Sequence, residues 1–116
     1  MDEPLRAFLD ALHAADDGKT CFIVEGKRDV AALGEQGIRH VRELDNNLYL
    51  FAERVAGSFG KAVVLTDGDA AGKQLYGKLR GYLIRNGVKV NDAPRELLFL
   101  TGLRQVEGLG TYRCNH

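Results

Sequence analysis

Leu5, Phe8, Leu9 and Leu12 recur three or four positions apart with polar residues between them, which predicts an amphipathic helix over 4–15. Pro4 suits its first turn, where a missing N–H is no loss, and Asp16-Asp17-Gly18 stops it. The periodicity then changes. Thr20-Cys21-Phe22-Ile23-Val24 is an unbroken run of β-formers flanked by Gly18 and Gly26, the pattern of a strand buried on both faces. Lys27 to Gln36 returns to helical spacing through Val30 and Leu33, with Gly37 as its C-terminal cap. His40 to Leu44 alternates weakly and predicts a second short strand. Asn46 or Asn47 can cap a helix carrying Leu48, Phe51 and Val55, which Gly57 ends. Lys61 to Thr66 is the strongest strand pattern and runs into Asp67-Gly68-Asp69-Ala70-Ala71-Gly72. A long helix over 71–86 follows, with Leu75, Leu79, Tyr82 and Leu83 on one side and Asn86-Gly87 as its stop. Val88-Lys89-Val90 reads as a fourth strand, and Asp92-Ala93-Pro94 opens a last helical stretch over 94–109.

Strands alternating with helices predict an α/β fold: a mostly parallel sheet of about four strands with helices on both faces, in a single domain over 1–116. In such sheets ligands bind beyond the carboxyl ends of the strands, near the point where strand order reverses. Two strands end there in acids, as Val24-Glu25-Gly26-Lys27-Arg28-Asp29 and as Thr66-Asp67-Gly68-Asp69. If those strands are neighbours, Glu25, Asp67 and Asp69 converge. Carboxylates a few ångströms apart repel by a few kcal/mol per pair at intermediate dielectric. A divalent cation relieves that, and Mg²⁺ suits a few hard oxygen ligands with positions left open. Gly26 and Gly68 leave room for a phosphate backbone, and Gly72 lets the loop turn into a helix whose first N–H groups can receive phosphate. Asp-Gly-Asp alone also suits an ordinary turn and helix cap. Acids on two strand ends of one sheet favour the metal reading.

Composition adds exclusions. With 116 residues, 45% apolar and 28% charged, the chain has the make-up of an ordinary one-domain globular protein. No apolar run approaches the roughly 18 residues that span a bilayer. Met1-Asp2-Glu3-Pro4 lacks the basic start of a signal peptide, so a cytoplasmic location and no membrane partner are expected. Formal net charge is zero, so a nucleic-acid partner must be read from local charge. Lys73, Lys78, Arg80, Arg85 and Lys89 occur between Ala70 and Asn91 with no acid. Lys73 falls in the first turn after the Asp-Gly-Asp loop, and Lys27 and Arg28 in the equivalent turn after Glu25. A basic rim around an acidic centre suits a phosphodiester; for Lys78, Arg80 and Arg85 a solvated helix face is the alternative. Gly68 to Lys73 is too short for a phosphate loop, and Gln74 stands where a hydroxyl must be. No G-x-G-x-x-G follows the first strand. Ser58 has no histidine near it in sequence, and His13, His40, His116, Cys21 and Cys114 show no ligand spacing, which disfavours serine-hydrolase and zinc chemistry. Cys21 reads as a core residue and Cys114 as part of a terminal tail.

Phe22-Ile23-Val24-Glu25-Gly26-Lys27-Arg28-Asp29-Val30 resembles the first motif of the Toprim domain, and Val63-Val64-Leu65-Thr66-Asp67-Gly68-Asp69-Ala70-Ala71-Gly72 resembles its second, D-x-D motif. The resemblance spans about residues 20–92, leaving the helix 4–15 and the stretch 94–109 as flanking extensions. Toprim is shared by bacterial-type primases, type IA and type II topoisomerases, old-family nucleases, recombination-repair proteins and ribosomal-RNA maturation nucleases. In Arg95, Leu98 and Val106-Glu107-Gly108-Leu109 the chain is also similar to small stand-alone Toprim proteins known mainly from archaea. The resemblance implies that Glu25 acts as a general acid or base, or as a metal ligand. It implies that Asp67 and Asp69 coordinate Mg²⁺, with Mn²⁺ as a possible substitute. Asp29 matches a frequent acidic position that holds Lys27, a backbone amide or a metal-bound water, or else is structural. The catalytic-tyrosine domain of topoisomerases and the zinc-binding and helicase-docking domains of primases find no counterpart, and Tyr49, Tyr76, Tyr82 and Tyr112 read as packing residues. The expected function is an Mg²⁺-dependent nuclease or processing factor acting on RNA or DNA. The alternative is a non-catalytic metal- and nucleic-acid-binding module within a larger replication, repair or RNA-maturation complex.

Overall fold

The computed structural model describes residues 2–103 and 105–111. Tyr112, Cys114 and His116 lie outside the described residues. Helix α1 (Glu3–Ala15) starts where the Asp2 side chain accepts the Leu5 N–H at 2.8 Å, and it buries the stripe Leu5, Phe8, Leu9 and Leu12. Strand β1 (Thr20–Val24) is buried at all five positions, as an unbroken apolar run requires. Helix α2 (Lys27–Glu35) is one residue shorter than its periodicity suggests, and Gly37 at φ +80° reverses the chain into β2 (Val41–Glu43).

Asn47 caps α3 (Leu48–Ser58) by accepting the Leu50 N–H at 3.1 Å. This helix runs through Gly57 rather than ending there, because extended Phe59 makes the exit and Gly57 needs no positive φ. Strand β3 (Lys61–Val64) leads to α4 (Ala70–Arg85), with Gly87 at φ +83° ahead of the two-residue β4 (Lys89–Val90). The last helical stretch is two pieces. Helix α5 (Ala93–Leu100) is separated from a 3₁₀ segment (Val106–Thr111) by a turn at Gly102, φ +84°.

The four strands form one parallel sheet in the order β2-β1-β3-β4. Alternation along the central strands divides two cores. Phe22, Val24, Val63 and Leu65 face α1, α2, α5 and the 3₁₀ segment, among Leu5, Phe8, Leu12, Leu33, Leu98 and Leu109. Cys21, Ile23, Ala62 and Val64 face α3 and α4, among Phe51, Val55, Leu79 and Leu83. At roughly 1.5–3 kcal/mol for each fully buried large apolar side chain, these two layers hold the helices to the sheet. Chain order reverses between β1 and β3, which pair directly, Thr20 with Lys61 through Ile23 with Val64. The ladder continues past them: Leu65 N–H donates to Ile23 C=O and Leu44 N–H to Val24 C=O, both at 2.8 Å. Glu25 and Asp67 therefore leave the sheet side by side. Among the described residues no helix is long and apolar enough to cross a membrane.

Candidate functional site

Glu25 and Asp67 meet at the carboxyl edge of the two central strands, where Glu25 Oε2 accepts the Asp67 N–H at 2.5 Å. Two residues on, the Asp69 side chain caps α4, its Oδ1 accepting the Gly72 N–H at 2.7 Å. The Thr66 hydroxyl donates to Gly72 C=O at 2.8 Å, so strand end and helix start are stitched across the acidic turn. Gly72 has a stronger reason to be glycine than the turn alone: a Cβ there would lie 2.1 Å from the Asp67 carbonyl oxygen. At Gly26 a Cβ would meet only Asp29 Oδ2 at 3.9 Å, an ordinary contact.

Asp29 is buried and doubly bonded: Oδ2 accepts the Gly26 N–H at 3.2 Å and Oδ1 the Glu107 N–H at 2.9 Å. Of the roles open to it, the backbone-amide one is what the structure shows. It fixes the start of α2 and ties down the 3₁₀ segment.

The charges interact. The Glu25 carboxyl is held above its ordinary range, first by loss of water around it; the Asp67 N–H pulls it back, and the charges of Asp67, Asp69 and Asp29 push it up. Asp67 is raised by burial and then by Asp69, against the hydrogen bonds from Gln105 and Glu25. Asp29 is raised by burial, opposed by its two amide bonds and reinforced by Asp67 and Glu107. Mutually raised carboxylates are the situation a hard divalent cation relieves, and an all-oxygen donor set suits Mg²⁺. In donor chemistry and electrostatics the residues fit that ion. In arrangement they correct the expectation of simple convergence: among the described residues no three acidic, histidine or cysteine side chains surround a common point. Glu25 and Asp69 each spend an oxygen on a backbone amide, so an ion would draw on their remaining oxygens or displace those bonds.

Helix α5 and the turn that leads into the 3₁₀ segment supply residues that the sequence reading did not place here. Arg95 is buried beneath the turn and donates to Thr66 Oγ1 at 3.2 Å and to Asp67 C=O at 3.1 Å. Gln105 Nε2 donates to Asp67 Oδ2 at 3.3 Å. The available signal was an arginine inside the apolar helix Pro94-Arg95-Glu96-Leu97-Leu98-Phe99, on the same face as Leu98.

The basic rim is narrower than the sequence suggests. Exposed Lys27, Arg28 and Lys73 stand in the helix turns beside the acids. Lys73 lines a hollow of about 420 Å³ with Gly68, Phe99, Gly102 and Leu103. Arg28 rims a wider groove of about 730 Å³ along α2 and the 3₁₀ segment, which Gln105 and Glu107 also line. Arg80, by contrast, is held by Asp92 at 3.0–3.3 Å, and Arg85 lies over the Tyr82 ring. Arg85 ends a 16-residue helix about 24 Å from its start, and Lys89 pairs with Lys61 at the opposite edge of the sheet. Among the described tyrosines, Tyr49 meets Tyr82 edge-on and Tyr76 donates its hydroxyl to Asp92.

No family model matches the chain. A UPF0292 protein of Methanosarcina barkeri is 36% identical over 115 residues, covering 95% of this chain and 80% of that protein. A UPF0292 protein of Methanocaldococcus jannaschii is 33% identical over 97 residues, 78% of this chain and 76% of its own. Among solved structures, a protein from Aquifex aeolicus matches 90% of this chain and 96% of its own at TM-score 0.79 and 26% identity. The Aquifex aeolicus primase, solved as its zinc-binding and RNA polymerase domains, matches 90% of this chain but 28% of its own at TM-score 0.56 and 23% identity, a likeness of fold alone. On identity maintained across nearly its whole length, the chain belongs to the UPF0292 family.

Proposed function

We propose that this chain is a Toprim-type protein that holds Mg²⁺, with Mn²⁺ as a substitute, through Glu25, Asp67 and Asp69, and acts on the phosphodiesters of RNA or DNA. The observation that carries the reading is the contact of Glu25 with Asp67 across neighbouring parallel strands, with Asp69 and Asp29 close enough to raise the Glu25 carboxyl. The fold likeness to a primase chain supports it. When bound, the ion supplies a Lewis acid and neutralises charge at a phosphoryl group. Glu25, with its raised carboxyl, is suited to hold or move a proton beside that group. Lys27, Arg28, Lys73 and the first-turn N–H groups of α4 that Asp69 does not take bind phosphate oxygens, while Gly26 and Gly68 let the nucleic-acid backbone come close.

The test incubates purified protein with labelled RNA and DNA in Mg²⁺ or Mn²⁺. Cleavage by the wild type that is lost in folded Asp67→Ala and Asp69→Ala supports a nuclease or processing enzyme. Equal cleavage by these variants defeats that reading.

A second reading, binding without turnover inside a larger complex, is favoured by the narrow basic rim, since among the described residues three exposed cations stand at the acidic turns. Calorimetry would then record metal and nucleic-acid binding in a protein that cleaves neither substrate. A protein that binds neither defeats both readings.

A further inference from the structure

We infer that Arg95 is a positioning residue of the acidic site, clamping the Thr66–Asp67 main chain so that Asp67 and Glu25 stay adjacent. This rests on the metal-binding reading above.

One guanidinium Nη2 donates to Thr66 Oγ1 at 3.2 Å and to Asp67 C=O at 3.1 Å. The Thr66 hydroxyl passes the tie on to Gly72 C=O at 2.8 Å. A single side chain thus joins the end of β3, the acidic turn and the start of α4. Its plane is fixed from both sides, with the guanidinium carbon 4.2 Å from the Tyr76 ring centroid and 4.5 Å from that of Phe99. Tyr76 is fixed in turn by its hydroxyl bond to Asp92, which Arg80 grips. The clamp is therefore rigid at its own base.

Stability alone does not account for this arginine. It is 7% exposed, its Nε has no hydrogen-bond partner, and the ion pairs among the described residues involve Arg39, Arg54, Lys61 and Arg80 instead. The charges of Glu25 and Asp92 offset part of its burial, but among the described residues no carboxylate contacts it directly, and a buried cation so placed is costly enough that an apolar side chain of similar volume is often the more stable choice. What the arginine does accomplish is geometric. Glu25, Asp67 and Asp69 repel, and the turn that carries two of them would open unless its main chain were held from below. The Asp67 main chain is held on both sides of its Cα, its carbonyl by Arg95 and its N–H by Glu25.

The experiment measures Mg²⁺ and Mn²⁺ affinity by isothermal titration calorimetry on the wild type, Arg95→Met, Arg95→Lys and Phe99→Leu, with circular dichroism and thermal melts in parallel. Phe99→Leu loosens the clamp without altering charge. The expected result is affinity at least tenfold weaker in folded Arg95→Met, partly recovered in Arg95→Lys, and reduced by a smaller factor in Phe99→Leu. Deleting a positive charge beside a cation site would, by electrostatics alone, tighten binding. Unchanged or tighter binding by folded Arg95→Met therefore overturns the inference, and a lowered melting temperature by itself does not rescue it. If Arg95→Met does not fold, unchanged affinity in both Arg95→Lys and Phe99→Leu overturns it equally. A wild type that binds neither ion overturns the metal-binding reading itself.

Discussion

Replacing Glu25 by Gln should stabilise the protein when divalent ions are chelated. Glu25 Oε2 accepts the Asp67 N–H, and a carboxamide oxygen can accept the same bond, so the change removes charge and leaves the geometry. Burial raises the Glu25 carboxyl most, and the charges of Asp67, Asp69 and Asp29 all add to it. A carboxylate pair about 6 Å apart at an effective dielectric near 60 repels by about 0.9 kcal/mol. That dielectric already carries the screening by water at a partly open site, so each neighbouring charge costs about 1 kcal/mol and three together at most about 3 kcal/mol. At about 2.1 cal/mol/K per residue of unfolding entropy, each 1 kcal/mol raises the melting temperature of a chain this size by about 4 °C. The assay is a thermal melt of wild type and Glu25→Gln at pH 7, low salt, with EDTA. A carboxyl held above its ordinary range favours the folded state when protonated, and that advantage is lost as pH rises through the folded value. The gain of the variant should therefore be full at pH 7 and vanish as the pH falls below the ordinary glutamate range. It should also shrink in high salt. Saturating Mg²⁺ should reverse the order, because an ion that binds only the folded wild type stabilises it by mass action. A variant no more stable than wild type at pH 7, or a gain insensitive to both salt and pH, refutes the charge-crowding argument.

Gly72→Ala places a methyl 2.1 Å from the Asp67 carbonyl oxygen, so a loss of about 3 kcal/mol or more in urea unfolding is expected, and a variant as stable as wild type contradicts the close approach. The Asp17 carboxyl is lowered to about 2 by the Lys19 N–H, the Thr20 hydroxyl and Lys61. Its contribution is present above 3.8 and lost as pH falls toward about 2, so acid-unfolding curves of wild type and Asp17→Asn should converge over that window, and a pH-independent gap rejects the assignment. Burial pushes the Cys21 thiol up to about 11. Iodoacetamide at pH 8 should leave Cys21 unmodified in the folded protein, as peptide mass mapping reads; any stabilisation from the protonated thiol is lost as pH rises from 9.0 toward 11, and rapid native labelling contradicts its burial.

The central architecture was legible because its signals are local. Apolar runs over 20–24 and 62–65, each leading to an acid and a glycine-bearing turn, mark buried parallel strands and the edge where they end. Their adjacency followed from the α/β pattern, and with it the meeting of Glu25 and Asp67. What stayed hidden depends on distant partners. Leu97, Leu98 and Phe99 announce an amphipathic helix, yet nothing near Arg95 says that its guanidinium turns inward to a carbonyl 28 positions earlier. The run Lys73–Lys89 looked like one basic surface because charge was counted along the chain. In space α4 carries it from one edge of the sheet to the other, and Asp92 claims Arg80. The Gly102 break went unseen for a related reason: Leu97, Leu98, Leu103 and Val106 keep an apolar rhythm across a turn that is not helical.

The clamp on the acidic turn also sets an order of events during synthesis. Glu25, Asp67 and Asp69 emerge from a ribosome well before the residues that fasten them. Arg95 reaches back 28 positions to Asp67, Gln105 reaches back 38, and the Glu107 amide reaches back 78 to Asp29. A nascent chain that has just finished α4 holds all three candidate ligands and none of these ties. The acidic site is therefore completed only when the last described tenth of the polypeptide has been made, so a partly synthesised chain carries its acids without the geometry that would let them work together.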